Sequence, residues 1–382
     1  MIPLVDLAAQ HTAVAAEVEQ GWRQVLAENA FVGGPQVAAF EREFAAFTGA
    51  RHCVAVANGT DAIEIALRAL GVSTGDECIL PANTFVATAE AVCRAGATPV
   101  LVDCADDDTY LIDPAAVEAA VTTRTRAIIP VHLYGQAAPV EQLLPLAGRI
   151  GAWIVEDAAQ AQGAGRNGMR AGSLGHAAGT SFYPGKNLGS YGDAGALLTG
   201  SDDVAELARL IRHHGSPRKY QHIVPGVNSR MDTLQAVVLS AKLRRLAAWN
   251  AARREAATRY DAALAGLAEV TLPRTLAGNE HVWHLYVIRV PERDRVLSEL
   301  NAAGIGAGVH YPLPIHRTRA FAGLGRAGAS HPVAERIAPE LLSLPLFAEI
   351  TVAQQQRVVA VLSAALGHGR GSGLSTAVTT GY

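Results

Sequence analysis

Short apolar runs of strand length alternate with stretches of helical periodicity between about residues 35 and 200. Four of these runs, at residues 78–80, 99–102, 127–131 and 153–155, end next to polar or small residues. Continuous apolar runs are typical of strands that are buried on both faces of a sheet, with helices supplying the cover. The alternation therefore predicts an α/β fold in which helices flank a mostly parallel sheet.

A change of pattern near residue 250 predicts two domains of unequal size. Residues 203–265 are helical in pattern, and the apolar stripe in 234–249 is long enough to connect two lobes. Beyond this stripe, residues 281–290 and 307–311 are predicted strands and residues 293–303 a predicted helix. We therefore expect a large domain that includes the N-terminal segment and the connecting helix, a small C-terminal α/β domain and a disordered Gly-, Ser- and Thr-rich tail, at residues 1–250, 251–366 and 367–382.

The composition excludes several classes of partner. With 32 basic and 35 acidic residues, the formal net charge is -3, which offers no footprint for nucleic acid or for an anionic membrane. No run of about 18 apolar residues is present, and Asp6 lies where a signal peptide would be positively charged. The four cysteines lack CxxC spacing and lie mostly in apolar runs, as buried free thiols do. We expect a cytoplasmic protein without a disulfide or a metal site.

Polar residues that follow the predicted strands are candidate ligand contacts, because open parallel sheets bind ligands at the carboxyl ends of their strands. Gly59 and Thr60 open a predicted helix, where free N–H groups bind phosphate, although a helix cap without a ligand explains them equally well. Asp157 ends a buried strand, where it meets a cation such as a protonated heterocyclic nitrogen or serves as a helix cap. Phe85 stacks on a planar ring or belongs to the core.

Lys186 lies among small, proline and aromatic residues in the segment SFYPGKNLG. Burial there would lower the pKa of the amine and suit it to imine formation with an aldehyde or ketone; the alternative is an exposed loop lysine. A phosphate cradle, an acid, a stacking ring and a buried lysine together describe a site for pyridoxal 5′-phosphate (PLP). This cofactor needs a Schiff-base lysine and an acid at its ring nitrogen.

These residues, in this order, resemble the fold-type I, PLP-dependent sugar-nucleotide aminotransferases of the DegT/StrS group. The resemblance covers about residues 2 to 365. Its blocks are IPLVDLAAQ, FVGGPQVAAFEREFAAFTG, VANGTDAIEIALRALG, GDECILPANTFVATAEAV, IPVHLYGQ, VEDAAQAQGA, SFYPGKNLGSYGDAGAL, GVNSRMDTLQAVVLSAKL and GVHYPLP. So many blocks in one order are specific, and they imply that the large domain binds PLP.

The resemblance implies roles for the residues around the cofactor ring. It implies that Lys186 forms the Schiff base with PLP and later moves the proton between the substrate carbon and the cofactor. It places Asp157 at the pyridinium nitrogen and Gln160 near the phenolic oxygen. Phe85 would cover one face of the ring.

The resemblance likewise implies phosphate and subunit contacts. Gly59, Thr60 and Ser181 would hold the phosphate within one chain. Asn228, in GVNSRMD, matches a residue that reaches the phosphate from the neighbouring subunit. This match implies that a homodimer is the functional unit.

For the substrate, the resemblance implies contacts at both ends of a nucleotide-linked sugar. Tyr183, His310 and Tyr311 match positions that approach the sugar. Lys219 matches a basic residue near the nucleotide diphosphate. A structural histidine and a solvated lysine are the alternatives for His310 and Lys219.

Two positions depart from the pattern of the family. Many relatives have histidine where this chain has Gln162, which leaves the role of that position open. Many also have a second glycine where this chain has Ala194, which is a smaller change.

The implied reaction is a two-stage transamination. Glutamate or glutamine converts PLP to pyridoxamine 5′-phosphate, which then aminates a nucleotide-linked keto sugar in aminodeoxysugar biosynthesis, including antibiotic pathways. The segment SFYPGKNLG followed by GD resembles enzymes that act on dTDP-3-keto-6-deoxyhexoses, whereas 4-keto-sugar and keto-cyclitol aminotransferases tend to have GEGG and remain alternatives. A non-catalytic PLP-binding regulator and a PLP-dependent dehydratase with histidine at the lysine position are further alternatives, which Lys186 disfavours.

Overall fold

The computed structural model describes residues 1–323 and 330–368. The α-helices are α1 Leu7–Glu28, α2 Gly34–Thr48, α3 Gly59–Ala69, α4 Val86–Arg94, α5 Pro114–Ala120, α6 Val140–Ile150, α7 Asp202–Arg212, α8 Thr233–Leu264, α9 Arg293–Ala302, α10 Pro332–Ile337 and α11 Val352–His368. The strands are β1 His52–Val56, β2 Glu77–Pro81, β3 Thr98–Val102, β4 Thr125–Ile128, β5 Trp153–Asp157, β6 Gly165–Arg166, β7 Met169–Arg170, β8 Ala177–Ser181, β9 Gly195–Thr199, β10 Asn279–Glu280, β11 Tyr286–Arg289 and β12 Leu341–Leu344.

A seven-stranded sheet forms the centre of the larger part of the chain, in the order β1-β9-β8-β5-β4-β2-β3. Strand β9 is antiparallel to both of its neighbours, and the other pairings are parallel. The prediction of a mostly parallel sheet flanked by helices is therefore confirmed. The four apolar runs that predicted it correspond to β2, β3, β4 and β5.

Alternation along the strands explains why helices cover both faces of this sheet. In β1, Val54 and Val56 pack in a core with α3, α4 and α7. Cys53 and Ala55 face the opposite side, where they pack in a core with α2 and α8. Helices α5 and α6 continue that opposite layer over β3, β4 and β5.

A second apolar core lies towards the C-terminus. It combines the end of α8 with β11, β12, α9 and α11, and it also contains Ile2 from the N-terminal segment. Helix α8 runs without interruption past residue 250 and joins the two parts. The domain boundary near residue 250 stays a prediction. Ile2, which was predicted to belong to the large domain, packs in a core whose other members all follow that boundary in the sequence.

Several local predictions need correction. Residues 307–311 form no strand and have only one isolated bridge, between Gly308 and Ser343, because the chain bends at His310. The strand predicted at 281–290 is limited to β11. The last helix continues through residues 367 and 368, where the tail was expected to begin, and residues 369–382 lie outside the described residues. Cys93 is exposed, unlike the other three cysteines.

Two further findings concern the described residues, 1–323 and 330–368. None of their helices is both long and apolar enough to cross a membrane. None of their His, Cys, Asp and Glu side chains form a group of three or more that is placed to bind a metal ion.

Candidate active site

Three parallel strands bring the predicted site residues to one edge of the sheet. Gly59 begins α3 shortly after β1, Asp157 ends β5 and Ser181 ends β8. Lys186 follows on the loop between β8 and β9. Because carboxyl ends of parallel strands share an edge, residues separated by more than 100 positions in the sequence meet there.

A closed loop holds Lys186. The backbone N–H of Ser190 donates to the carbonyl of Phe182 at 2.8 Å, which joins the two ends of the loop. The buried Lys242 of α8 donates from Nζ to the carbonyl of Gly189 at 2.7 Å and so ties the loop to that helix. The backbone that carries Lys186 is thereby fixed on two sides.

The amine of Lys186 is adapted to act as a base or nucleophile. Burial lowers its pKa to about 8, and the negative charge of Asp157 acts in the opposite direction. Nζ of Lys186 has no hydrogen-bond partner among residues 1–323 and 330–368. A lysine with a lowered pKa and a free amine, next to a carboxylate, is typical of imine-forming sites.

The carboxylate of Asp157 is buried and held by two donors. The hydroxyl of Thr88 donates to Oδ2 at 2.6 Å, and the backbone N–H of Ala159 donates to Oδ1 at 3.1 Å. The hydroxyls of Thr84 and Thr88 lie 2.9 Å apart. Thr88 was not identified from the sequence; it lies in the first turn of α4, and Thr84 lies just before Phe85, the N-cap of that helix.

Aromatic and amide side chains form another wall of the site. Gln160 accepts from the backbone N–H of Tyr134 at 2.6 Å and donates from Nε2 to the hydroxyl of Tyr311 at 2.9 Å. The ring of Tyr311 lies 5.2 Å from that of Phe85, centroid to centroid. Phe85 is 50% exposed and therefore does not belong to the core. Its stacking on a ligand stays a prediction.

His310 belongs to the same wall as Tyr311. Its Nδ1 lies 2.8 Å from the hydroxyl of Ser343, and its carbonyl accepts from the hydroxyl of Tyr134. Burial, together with the charge of Lys186, lowers the pKa of His310 to about 4. The imidazole is therefore neutral near pH 7.

A cradle for an anionic group lies at the start of α3. The side chain of Asn58 caps the helix by accepting from the N–H of Asp61 at 2.8 Å, while the N–H groups of Gly59 and Thr60 have no acceptor among the described residues. A Cβ atom at Gly59 would lie 2.7 Å from Cβ of Ser181, so only glycine allows this close approach. Free N–H groups beside a hydroxyl at a helix N-terminus fit a phosphate.

A buried chain of amides connects the cradle with the lysine loop. Gln162 donates from Nε2 to the backbone carbonyl of Ser181 at 2.8 Å, and the backbone carbonyl of Gln162 accepts from Nδ2 of Asn250 at 2.9 Å. Asn187, next to Lys186, donates to Oδ1 of Asn250 at 2.9 Å. The role left open for Gln162 is thus to hold the end of β8 in place.

His284 ends this chain of amides and was not identified from the sequence. Asn187 also donates to the carbonyl of Val282, so its Oδ1 is left as the acceptor towards Nδ1 of His284, at 3.2 Å. Burial, reinforced by the charges of Lys186, Arg253 and His310, lowers the pKa of His284 well below its usual value. His284 is therefore a neutral imidazole that carries its proton on Nδ1.

Glu156, the acid that precedes Asp157, has a structural role instead. It is fully buried and accepts from His132 at 2.7 Å. It also accepts from three backbone N–H groups, of Gly172, Leu174 and Gly175. Its carboxylate is satisfied within the fold.

Three of the predicted contact residues lie apart from this cluster of bonded side chains. Tyr183 is 60% exposed and makes no side-chain hydrogen bond with another described residue. Lys219 and Asn228 are also exposed, and the Nζ atom of Lys219 lies 5.1 Å from the ring of the adjacent Tyr220. Their predicted roles in binding stay predictions.

The sheet topology and the arrangement of Lys186, Asp157 and the cradle at its edge define a class of protein, the fold-type I PLP-dependent aminotransferases. The comparison with known families is specific within that class. Residues 13–363 match the DegT/DnrJ/EryC1/StrS aminotransferase family. The chain belongs to this family.

Relatives with assigned names include both enzymes and a protein named as a sensor. The chain is 46% identical to the erythromycin biosynthesis sensory transduction protein EryC1 of Saccharopolyspora erythraea, over 95% of this chain and 99% of that one. It is 44% identical to dTDP-3-amino-3,4,6-trideoxy-α-D-glucose transaminase of Streptomyces venezuelae, over 94% of each. It is 45% identical to UDP-N-acetyl-3-dehydro-α-D-glucosamine 3-aminotransferase of Acidithiobacillus ferrooxidans, over 96% and 98%.

Solved structures agree with the fold. The chain superposes on S. venezuelae DesV, crystallised with a ketimine intermediate, with a TM-score of 0.92, 44% identity and coverage of 95% of this chain and 98% of that one. It superposes on NtdA of Bacillus subtilis, which contains bound PMP, with a TM-score of 0.84 at 32% identity, over 92% and 82%.

Proposed function

We propose that this protein is a PLP-dependent sugar aminotransferase that replaces the C3 keto group of a nucleotide-linked deoxysugar with an amino group. The observation that carries the proposal is the half-buried Lys186, whose pKa is lowered to about 8 and which interacts electrostatically with Asp157 at the ligand-binding edge of the sheet. Glutamate or glutamine is the proposed amino donor.

The residues present fit PLP. The cradle formed by Gly59, Thr60 and Ser181 offers free N–H groups and a hydroxyl to the phosphate, and a side chain at Gly59 would fill the space beside Ser181. Asp157 is suited to pair with the ring nitrogen, and Phe85 presents an exposed ring face for stacking. When bound, PLP supplies an electron sink for the carbon that loses its proton.

Lys186 performs the proton transfers in this account. Its lowered pKa makes the neutral amine accessible near neutral pH, so Nζ can take a proton from a substrate carbon and return it. The nearby negative charge of Asp157 favours the ammonium form, so the two protonation states of Lys186 stay close in free energy. Such balance is what a residue that serves alternately as base and acid requires.

Two relatives support C3 as the site of amination and leave the nucleotide to be decided. The S. venezuelae enzyme is named for a dTDP-linked 3-amino sugar, and the A. ferrooxidans enzyme for a UDP-linked 3-dehydro sugar. Their names share position 3 and differ in the nucleotide. Together with the segment SFYPGKNLG, they lead us to propose a dTDP-3-keto-6-deoxyhexose as the substrate, with Tyr183, His310 and Tyr311 at the sugar and Lys219 at the diphosphate.

We also propose that the active sites are shared between the subunits of a homodimer. Asn228 and Lys219 are exposed and bonded to none of the other site residues within one chain. Both would become functional if a second copy placed its cradle against them. Analytical ultracentrifugation of the holoenzyme tests this arrangement, and a monomer with full activity would contradict it.

A regulatory function is the second candidate, because one relative is named as a sensory transduction protein. A sensor would need only to bind the cofactor. The free amine of Lys186, with its lowered pKa, is the feature that a purely binding protein does not require and that favours the enzyme.

The test is a panel of acceptors. The purified protein with PLP and glutamate, or glutamine, is incubated with dTDP-3-keto-6-deoxy, dTDP-4-keto-6-deoxy and UDP-3-keto sugars, and the amino products are identified by mass spectrometry. We expect a 3-amino dTDP sugar from wild type and none from Lys186→Ala. Products from the 4-keto sugar alone would refute C3 amination, and no product with any acceptor would support the regulator.

A further inference from the structure

Thr88 links the proposed cofactor acid to α4, which packs in the same layer as α3 and α7. It is fully buried in the first turn of α4, and its hydroxyl lies 2.6 Å from Oδ2 of Asp157, which is 69 residues away in the sequence. Thr84 approaches the same hydroxyl at 2.9 Å. Helix α4 therefore contacts Asp157 through a hydroxyl group and not through apolar packing.

The direction of these hydrogen bonds follows from the chemistry of the groups. An ionised carboxylate only accepts, so Thr88 must donate its single hydroxyl proton to Asp157. The oxygen of Thr88 is then free to accept, and Thr84 is the donor in the second bond. A hydroxyl that accepts one bond is polarised and donates more strongly to the next group, and the acceptor here is charged.

The two donors to Asp157 leave little rotational freedom to the carboxylate. Thr88 holds Oδ2, and the N–H of Ala159 holds Oδ1 from the other side. Asp157 also interacts electrostatically with Lys186 and Tyr311. The orientation needed to meet a ring nitrogen is thus set before any ligand binds, which lowers the cost of binding.

We propose that Thr88, supported by Thr84, is a positioning residue that fixes the carboxylate of Asp157 in the orientation that binds the cofactor ring. This inference rests on the proposed function, because it assumes that Asp157 meets the ring nitrogen of PLP. Thr88 itself touches neither cofactor nor substrate in this account. Its effect on cofactor binding passes entirely through Asp157.

The test measures the dissociation constants of PLP and PMP by equilibrium dialysis against apoprotein. Thr88→Val removes the hydroxyl without changing the shape of the side chain, Thr88→Ser retains it, and Thr88→Ala is a smaller variant in case valine disturbs folding. We expect valine and alanine to weaken PMP binding by about tenfold or more, because hydrogen bonds to charged groups are among the stronger ones. Serine should stay within about threefold of wild type.

A double-mutant cycle with Asp157→Ala separates positioning from a general effect on structure. If Thr88 acts through Asp157, Thr88→Val changes PMP affinity by less than about twofold in the Asp157→Ala background. A further large loss in that background would show that Thr88 acts on the fold and would overturn the inference, as would wild-type affinity in both Thr88→Val and Thr88→Ala.

The same cycle distinguishes this inference from the proposed function. Wild-type PLP and PMP affinity in Asp157→Ala would refute the role of Asp157 and, with it, the proposed cofactor site. Weak binding in Asp157→Ala together with normal binding in Thr88→Val would refute only the role of Thr88.

Discussion

The pKa of Lys186 gives a quantitative prediction about the free protein. Burial lowers this pKa from 10.5 to about 8. At pH 7, about 10% of such lysines are neutral, against ~0.03% of lysines with the ordinary value, so burial increases the neutral amine by about 300-fold. Replacing Asp157 with Asn removes the negative charge that favours the ammonium form, and the pKa of Lys186 should then fall further.

Competitive acetylation of the apoprotein measures this pKa without the cofactor. Trace labelling at a series of pH values, followed by quantification of the Lys186 peptide by mass spectrometry, gives the midpoint of the titration, and the exposed Lys219 serves as an internal comparison. We expect a midpoint near pH 8 in wild type and a lower one in Asp157→Asn. A wild-type midpoint near 10.5 would refute the effect of burial, and an upward shift in Asp157→Asn would refute the electrostatic assignment.

Three other predictions test separate parts of the structure. Gly59→Ala should weaken PLP binding in dialysis by about tenfold or more, because Cβ would meet Ser181 at 2.7 Å, whereas Gly148→Ala, with open space around its Cβ, should not; equal losses would contradict the cradle. Glu156→Gln should lower the free energy of unfolding in urea by about 2–4 kcal/mol, since its four buried donors lose a charged acceptor, and an unchanged midpoint would contradict that role. In 15N NMR, His284 should stay neutral with its proton on Nδ1 from pH 5.5 to 8, and a signal that titrates near pH 6.5 would be inconsistent with the buried amide chain.

The elements that could be predicted from the sequence are those with local signals. The apolar runs of β2, β3, β4 and β5 and the cap before α3 are visible within about ten residues of sequence, and the rule for parallel sheets then places Gly59 and Asp157 on one edge. The lowered pKa of Lys186 was predictable from its neighbours in the loop. A single lysine among small, proline and aromatic residues loses part of its hydration, which disfavours the charged ammonium form.

The parts that were missed depend on contacts between distant residues. The bond from Thr88 to Asp157 spans 69 residues, and that from Asn187 to His284 spans 97, so neither leaves a local pattern. The antiparallel direction of β9 is also invisible in its own apolar sequence. Residues 307–311 were mistaken for a strand because Val309 and Tyr311 are residue types that favour strands. The contacts of His310 with Ser343 and of Tyr311 with Gln160 join residues far apart in the sequence and leave no local pattern.

The central claim is that this protein carries an amino group from an amino acid to a keto sugar by means of Lys186. Absorbance spectroscopy of the PLP-loaded protein tests it most directly. We expect a visible band from the lysine-bound cofactor that disappears on addition of glutamate or glutamine and returns on addition of a dTDP-3-keto-6-deoxy sugar. A protein that lacks the band, or whose band responds to no amino donor, would contradict the account.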